Sequence, residues 1–302
     1  MAAPQKKKDE FTGSFAAMRF QFFVTLAMRL ILIRDGLATR RSPQETAAGA
    51  ASTIPCSIAS GGRVLEARLA MPRSAPLASV LILHGIGERL DYWTEAQQLL
   101  ARCEIASLIV HYSGYGKSMG ATTPENLRQD VRASYAELQR LVPGVPAPCV
   151  LGLSMGTGVA VDAAPGLQPP PSGIILCEPF SSLQDAAGAV CDTLPGLRLA
   201  SRWLAKLMPD VYRTAATVGR IESPLLIVHS DADELFRVGM AQAILAAANA
   251  AGQPPAELAV LHGFAHNDAY LRPSLGYWQP ILDFIRRVPG SSRIDPGEPQ
   301  RR

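Results

Sequence analysis

The stretch Cys149-Val150-Leu151-Gly152-Leu153-Ser154-Met155-Gly156-Thr157-Gly158 decides the fold. An apolar run leads into Gly152-Leu153-Ser154-Met155-Gly156, and small residues from Thr157 to Ala164 follow it. Apolar residues before a G-x-S-x-G and helix-compatible small residues after it describe a strand that turns sharply into a helix. The two glycines leave room for that turn. It lifts the Ser154 hydroxyl out of the sheet and puts the Met155 amide at a helix start. A chance match in a glycine-rich chain would not bring these flanks with it.

Working outward, Ser79 to Leu83 is a buried-strand run that ends at His84-Gly85, and Ile105 to Val110 is another that ends at His111-Tyr112-Ser113-Gly114. Thr53 to Ile58 and Val64 to Ala70 meet through Gly61-Gly62 as a hairpin. Ile174 to Leu176, Leu225 to Val228 and Leu258 to Leu261 complete the strands. Helices are predicted at Tyr92 to Arg102, at Thr123 to Leu141 and at about Tyr277 to Arg287; the second starts at Pro124-Glu125 and lines Leu127, Val131, Tyr135 and Leu138 on one face. Strands that are apolar throughout and alternate with helices imply an α/β fold, with a mostly parallel central sheet covered on both faces. Ser181 to Arg220 breaks the rhythm as a Leu-rich helical insertion, long enough to cap the carboxyl ends of the strands. The chain thus divides into an extension over 1–52, a domain over 53–288 with a cap at about 181–220, and a polar tail over 289–302 whose composition predicts disorder.

Composition narrows the function. With 29 Lys plus Arg against 26 Asp plus Glu, the net charge is +3, and no basic-aromatic cluster stands out; nucleic acid is excluded as a partner. Five cysteines without C-x-x-C spacing argue against a disulfide scaffold or a zinc knuckle, and no metal or other cofactor is expected. Residues 20–33 are apolar but interrupted by Arg29, too short for a membrane span. Gln21, Thr25 and Arg29 share one side of a helix there, which predicts a peripheral contact with a membrane surface, a partner subunit or the domain itself. The protein is expected in the cytoplasm or at a membrane periphery, and the basic start before an apolar run leaves secretion open.

A nucleophilic serine needs a base, and the base needs an orienting carboxylate. After the strand ending at Val228 comes His229-Ser230-Asp231-Ala232-Asp233-Glu234, and after the strand ending near Leu261 comes His262-Gly263-Phe264-Ala265-His266-Asn267-Asp268. Asp233 is preferred to Asp231 because it lies deeper in its loop, and His266 to His262 because His262 sits at the strand end and suits a structural hydrogen bond. The oxyanion of a tetrahedral intermediate needs backbone donors set in advance, and Met155 N–H and Ile86 N–H are the candidates. His84, Glu88, Trp203, Leu204 and Met208 are candidates for the substrate pocket, with Leu194, Leu197, Leu199 and Leu207 completing the apolar cap stripe. Glu88 faces either the pocket mouth or solvent.

These residues resemble the α/β-hydrolase superfamily, in particular serine hydrolases similar to Bem46 and the ABHD-type depalmitoylases. The resemblance covers roughly residues 53 to 287 and rests on four segments. His84-Gly85-Ile86-Gly87 is similar to an oxyanion loop. Tyr112-Ser113-Gly114-Tyr115-Gly116-Lys117-Ser118 with Gly120, Thr123 and Asp130 resembles a Y-R-G-Y-G-x-S-x-G segment and its helix. Glu178-Pro179-Phe180-Ser181-Ser182-Leu183 resembles a P-F-x-S-L stretch. Asp233 and His266-Asn267-Asp268 resemble the acid and base segments. The resemblance implies an α/β-hydrolase fold and a serine hydrolase that cleaves an ester or thioester of a small or lipid-like apolar acyl group. Acyl transfer, peptide or carbon-carbon bond hydrolysis and noncatalytic binding are the alternatives. Ser113 stands where the branch carries Arg, so a clamp near the oxyanion loop is expected to be missing. The depalmitoylases' amino-terminal cysteine cluster is absent as well.

Overall fold

Val, Ile and Leu runs that are apolar on both faces need cover on both faces, and the centre of the sheet is made of them. The computed structural model describes residues 53–193, 198–209, 211–252 and 256–288. The expected extension over 1–52, with its segment 20–33, and the tail over 289–302 lie outside the described residues. The strands are β1 (Thr53–Ser60), β2 (Arg63–Ala70), β3 (Ala78–Leu83), β4 (Ile105–Val110), β5 (Cys149–Leu153), β6 (Ile174–Cys177), β7 (Leu225–Ser230) and β8 (Ala256–Leu261). They form one sheet in the order β1-β2-β4-β3-β5-β6-β7-β8. β1 and β2 are the predicted hairpin and β2 runs antiparallel to β4; the other neighbours are parallel.

The helices are α1 (Thr94–Arg102), α2 (Pro124–Leu141), α3 (Met155–Ala163), α4 (Leu183–Thr193), α5 (Ser201–Lys206), α6 (Thr214–Thr217), α7 (Val238–Ala250), α8 (Asp268–Leu271) and α9 (Leu275–Arg287). Alternate residues of each strand feed opposite sides. Leu81, Leu108, Val150 and Ile227 pack under α2, α3 and α7, while Val80, Ile82, Leu151 and Val228 pack under α1 and α9. Trp93 and Trp278 are fully buried on the second side, and truncating either to Ala would cost about 3–5 kcal/mol. α2 begins where predicted because Pro124 occupies its first turn and Thr123 Oγ accepts from Asn126 N at 3.2 Å. α3 begins at Met155 rather than Thr157, since the turn at Ser154 passes straight into the helix.

α4, α5 and α6 form the helical insertion between β6 and β7. Of its expected apolar stripe, Leu199, Trp203 and Leu207 are exposed, Trp203 by 65%, while Leu194, Leu197 and the Leu204 side chain lie outside the described residues. A helix as short as α5 cannot turn a wide apolar stripe inward all at once. None of the described helices is long and apolar enough to cross a membrane.

Where the resemblance leads one to expect an Arg at 113, a guanidinium reaches Ser113 from β2 instead. Ser113 N donates to Asp130 Oδ2 at 2.7 Å, and Arg63 Nη2 pairs with Asp130 Oδ1 at 3.1 Å while Arg63 Nε donates to Ser113 Oγ at 2.8 Å. Asp130 is fully buried, and Ser60 Oγ also donates to it at 2.7 Å. A hydrophobic reading of β2 could not foresee this, because Arg63 and Asp130 are far apart in sequence and meet only when the hairpin folds over α2.

Candidate active site

Parallel pairing in register brings the site together. Leu153 pairs with Cys177 and Cys177 with Val228, so the residues that follow these strands emerge side by side at one edge of the sheet. Ser154 N donates to Cys177 O at 3.0 Å, Glu178 N to Val228 O at 2.9 Å and Asp231 N to Leu261 O at 2.9 Å. Ser154, Glu178, the Asp231–Glu234 loop and the His262–Asp268 loop therefore follow β5, β6, β7 and β8 at their carboxyl ends, where open α/β sheets bind ligands.

Ser154 has φ 52 and ψ −118, the left-handed region that a side chain rarely adopts. The turn fits because its glycines have no room for anything more. A Cβ on Gly152 would lie 2.3 Å from Gly156 O, and one on Gly156 would lie 2.0 Å from Leu83 O. Ser154 itself is half-buried. Met155 opens α3, so its N–H is among the helix amides that have no carbonyl partner within the helix.

His266 is buried and its Nδ1 lies 2.8 Å from Asp233 Oδ2. Asp233 also accepts from Leu235 N at 2.7 Å and Phe236 N at 3.0 Å through Oδ1. Burial pushes its carboxyl up, but the His266 charge, the His266 hydrogen bond and the two amides outweigh it and hold the group below the usual carboxylate range. His266 is fixed further by its N–H to Glu234 Oε2 at 3.0 Å and by the Phe236 ring, edge-on at 5.1 Å. The competing pair lies elsewhere: His262 Nδ1 meets Asp231 Oδ2 at 2.6 Å with the His262 side chain 83% exposed.

The oxyanion-loop candidate is tied down from three directions. Tyr112 Oη donates to His84 O at 3.1 Å and His84 Nδ1 to Gly85 O at 2.7 Å. Gly85 N donates to Glu88 Oε1 at 2.8 Å, and Trp93 Nε1 to Glu88 Oε2 at 2.7 Å. Ile86, half-buried, lies between these anchors. A Cβ on Gly85 would stand 3.2 Å from the Ser154 Cβ, which shows how closely the loop approaches the serine. Glu88 does not face solvent; it is buried, and burial pushes its carboxyl up to about 7 against the pull of Trp93, Gly85 and His266. His84 is likewise packed inward, among Tyr112, Tyr115 and His111, and burial together with the neighbouring His111 pushes its imidazole down to about 3. Both residues hold the loop rather than line an open pocket. Met208 is half-buried, Trp203 faces solvent, and the Leu204 side chain lies outside the described residues.

Sequence reasoning passed over Glu178, Arg63, Trp93 and Tyr112 as site residues. Glu178, the one charged residue directly after a wholly apolar strand, carried the only visible signal. One carboxyl oxygen of Glu178, one of Asp233 and a ring nitrogen of His229 lie within 4.8 Å of one another. A cation there would have to compete for Asp233 oxygens already engaged by His266 and two amides, so the cluster reads as an acid pair beside the base.

Residues 74–217 match a family described as serine aminopeptidase, S33. An uncharacterized protein of Mycobacterium tuberculosis is 26% identical over 246 residues, covering 81% of this chain and 72% of its own length. Rat monoglyceride lipase is 25% identical over 206 residues (67% of this chain, 63% of the lipase). Human α/β-hydrolase domain-containing protein 17B is 27% identical over 206 residues (66% of this chain, 64% of that protein). An esterase of Pyrococcus furiosus has the same fold, with a TM-score of 0.64 at 19% identity over 83% of this chain and 96% of the esterase. These likenesses reach the hydrolase superfamily and do not single out a Bem46-like branch.

Proposed function

We propose that this member of the α/β-hydrolase superfamily, related to the ABHD and esterase-type serine hydrolases, cleaves a carboxylic ester or thioester with an apolar acyl group. The observation that carries the reading is the His266–Asp233 contact at 2.8 Å, on the sheet edge where Ser154 sits in its strained turn. Ser154 Oγ attacks the acyl carbonyl while His266 Nε2 takes its proton, and Asp233 keeps Nδ1–H oriented and stabilises the imidazolium. The Met155 and Ile86 amides meet the oxyanion. His266 then returns the proton to the departing alcohol or thiol, leaving an acyl-serine. Water, deprotonated by His266, attacks that carbonyl; collapse of the intermediate frees the carboxylic acid and reprotonates Ser154. The likeness to monoglyceride lipase supports a lipid-like acyl substrate. The S33 aminopeptidase description keeps amide cleavage as the rival.

Fluorophosphonate labelling of the purified full chain tests the nucleophile, beside Ser154→Ala and His266→Ala. A chain-length series of p-nitrophenyl esters and acyl thioesters, run against aminoacyl p-nitroanilides, tests the substrate class. Labelling lost in Ser154→Ala together with ester or thioester turnover is the expected result. Labelling that survives Ser154→Ala, or turnover confined to the anilides, would overturn the proposal.

A further inference from the structure

Glu178 is fully buried at the end of β6, and its neighbours accept hydrogen bonds as readily as they donate them. Two donors face it: Ser230 N at 3.0 Å from Oε2 and Tyr277 Oη at 3.2 Å from Oε1. Two acceptors face it as well. One is the carboxylate of Asp233, within 4.8 Å. The other is His229 Nδ1, 3.4 Å from Glu178 Oε2. His229 Nε2 is spent on Phe236 O at 3.2 Å, so its proton sits there and Nδ1 presents a lone pair that no other group satisfies. Burial holds the His229 imidazole down, which keeps it neutral. No cation among the described residues compensates Glu178, and it sits at φ 48, a backbone position a side chain does not take without tertiary support.

Two buried carboxyl groups this close do not both ionise. Asp233 holds the charge because three donors converge on it: His266 Nδ1, Leu235 N and Phe236 N. The proton falls to the other carboxyl. We propose that Glu178 is a positioning residue: a neutral carboxylic acid that shares its proton with the Asp233 carboxylate, and so holds Asp233 ionised and aimed at His266. The proposal rests on the Ser154–His266–Asp233 reading and deepens it. Burial and the Asp233 charge push the Glu178 carboxyl well above the usual range, in agreement with the geometry. The titratable groups facing Glu178 are Cys177 on β6, His229 and Asp233 on and after β7, and Tyr277 on α9; His266 stands behind Asp233.

The test pairs a spectrum with kinetics on the full chain. Near neutral pH, the infrared difference between wild type and Glu178→Gln is expected to show the carbonyl stretch of a neutral carboxylic acid, lost in the variant. Gln keeps a donor and neutrality, whereas Glu178→Met keeps the volume and loses the donor. Met should lower kcat/KM about tenfold with KM unchanged, as loss of one hydrogen bond to a charged group predicts. Gln should restore most of the rate. An ionised-carboxylate band for Glu178, or a Met variant with the wild-type rate, would overturn the proposal. Should wild type turn over no ester at all, the hydrolase reading fails, and the infrared band still decides the state of Glu178.

Discussion

Replacing Asp233 by Asn separates it from Asp231, the other aspartate of its loop. The carboxylate is buried and 2.8 Å from His266 Nδ1. When His266 takes the serine proton, a charge pair forms with centres about 4 Å apart. At an effective dielectric of about 20 that attraction is about 4 kcal/mol, or about 10³-fold in rate. Asn removes the charge and turns an amide toward Nδ1, which favours the wrong tautomer; in the chymotrypsin-type triad the same change costs about 10⁴-fold. The expected loss in kcat/KM is therefore about 10³ to 10⁴, with the fold intact because Asn Oδ1 can still accept from Leu235 and Phe236. The assay is kcat/KM on the best p-nitrophenyl ester together with the rate of fluorophosphonate labelling, each compared with Asp231→Asn. Asp231 serves an exposed His262, so its variant should stay within about twofold of wild type. A Asp233→Asn enzyme within tenfold of wild type, or a greater loss in Asp231→Asn, would refute the reasoning.

Other outcomes follow from the buried groups. Glu88 is held at about 7 in the fold against about 4.3 in the unfolded chain. The folded state thus binds the extra proton, and the stability it confers is complete below the unfolded value and falls as pH rises toward 7, by up to about 3 kcal/mol. Thermal melts of wild type should lose stability across that window, and Glu88→Gln should flatten the slope; parallel slopes would argue that Glu88 does not titrate there. Arg63→Ala strands the buried Asp130 carboxylate and should cost about 3–5 kcal/mol. Denaturant midpoints measure that loss, and adding Ser113→Arg should recover part of it by returning a guanidinium to Asp130.

Much of this molecule was legible in one dimension. The strand–turn–helix around Ser154 needs only local chemistry, because glycines at 152 and 156 are demanded by contacts as close as 2.0 Å and small residues must follow them. The apolar runs announce buried parallel strands for a similar reason: a strand covered on both faces has no polar side to alternate with. Loop depth favoured Asp233 over Asp231, and its strand-end position set His262 aside in favour of His266; in the structure the Asp233–His266 pair is buried and the Asp231–His262 pair exposed. The cap was less legible. Its Leu and Trp periodicity reads the same whether the stripe faces a pocket or solvent, and Trp203 faces solvent.

By itself, then, the sequence determined the order of elements, the strained turn and which side chains could carry acyl chemistry, since each depends on residues near one another in the chain. The tertiary structure decided what stands beside them. Glu178 next to Asp233, Trp93 on Glu88 and Arg63 on Asp130 are meetings of residues from different elements. Whether a buried carboxyl is charged or neutral depends on the donors and charges that packing brings within a few ångströms, and no local pattern in the chain encodes those distances.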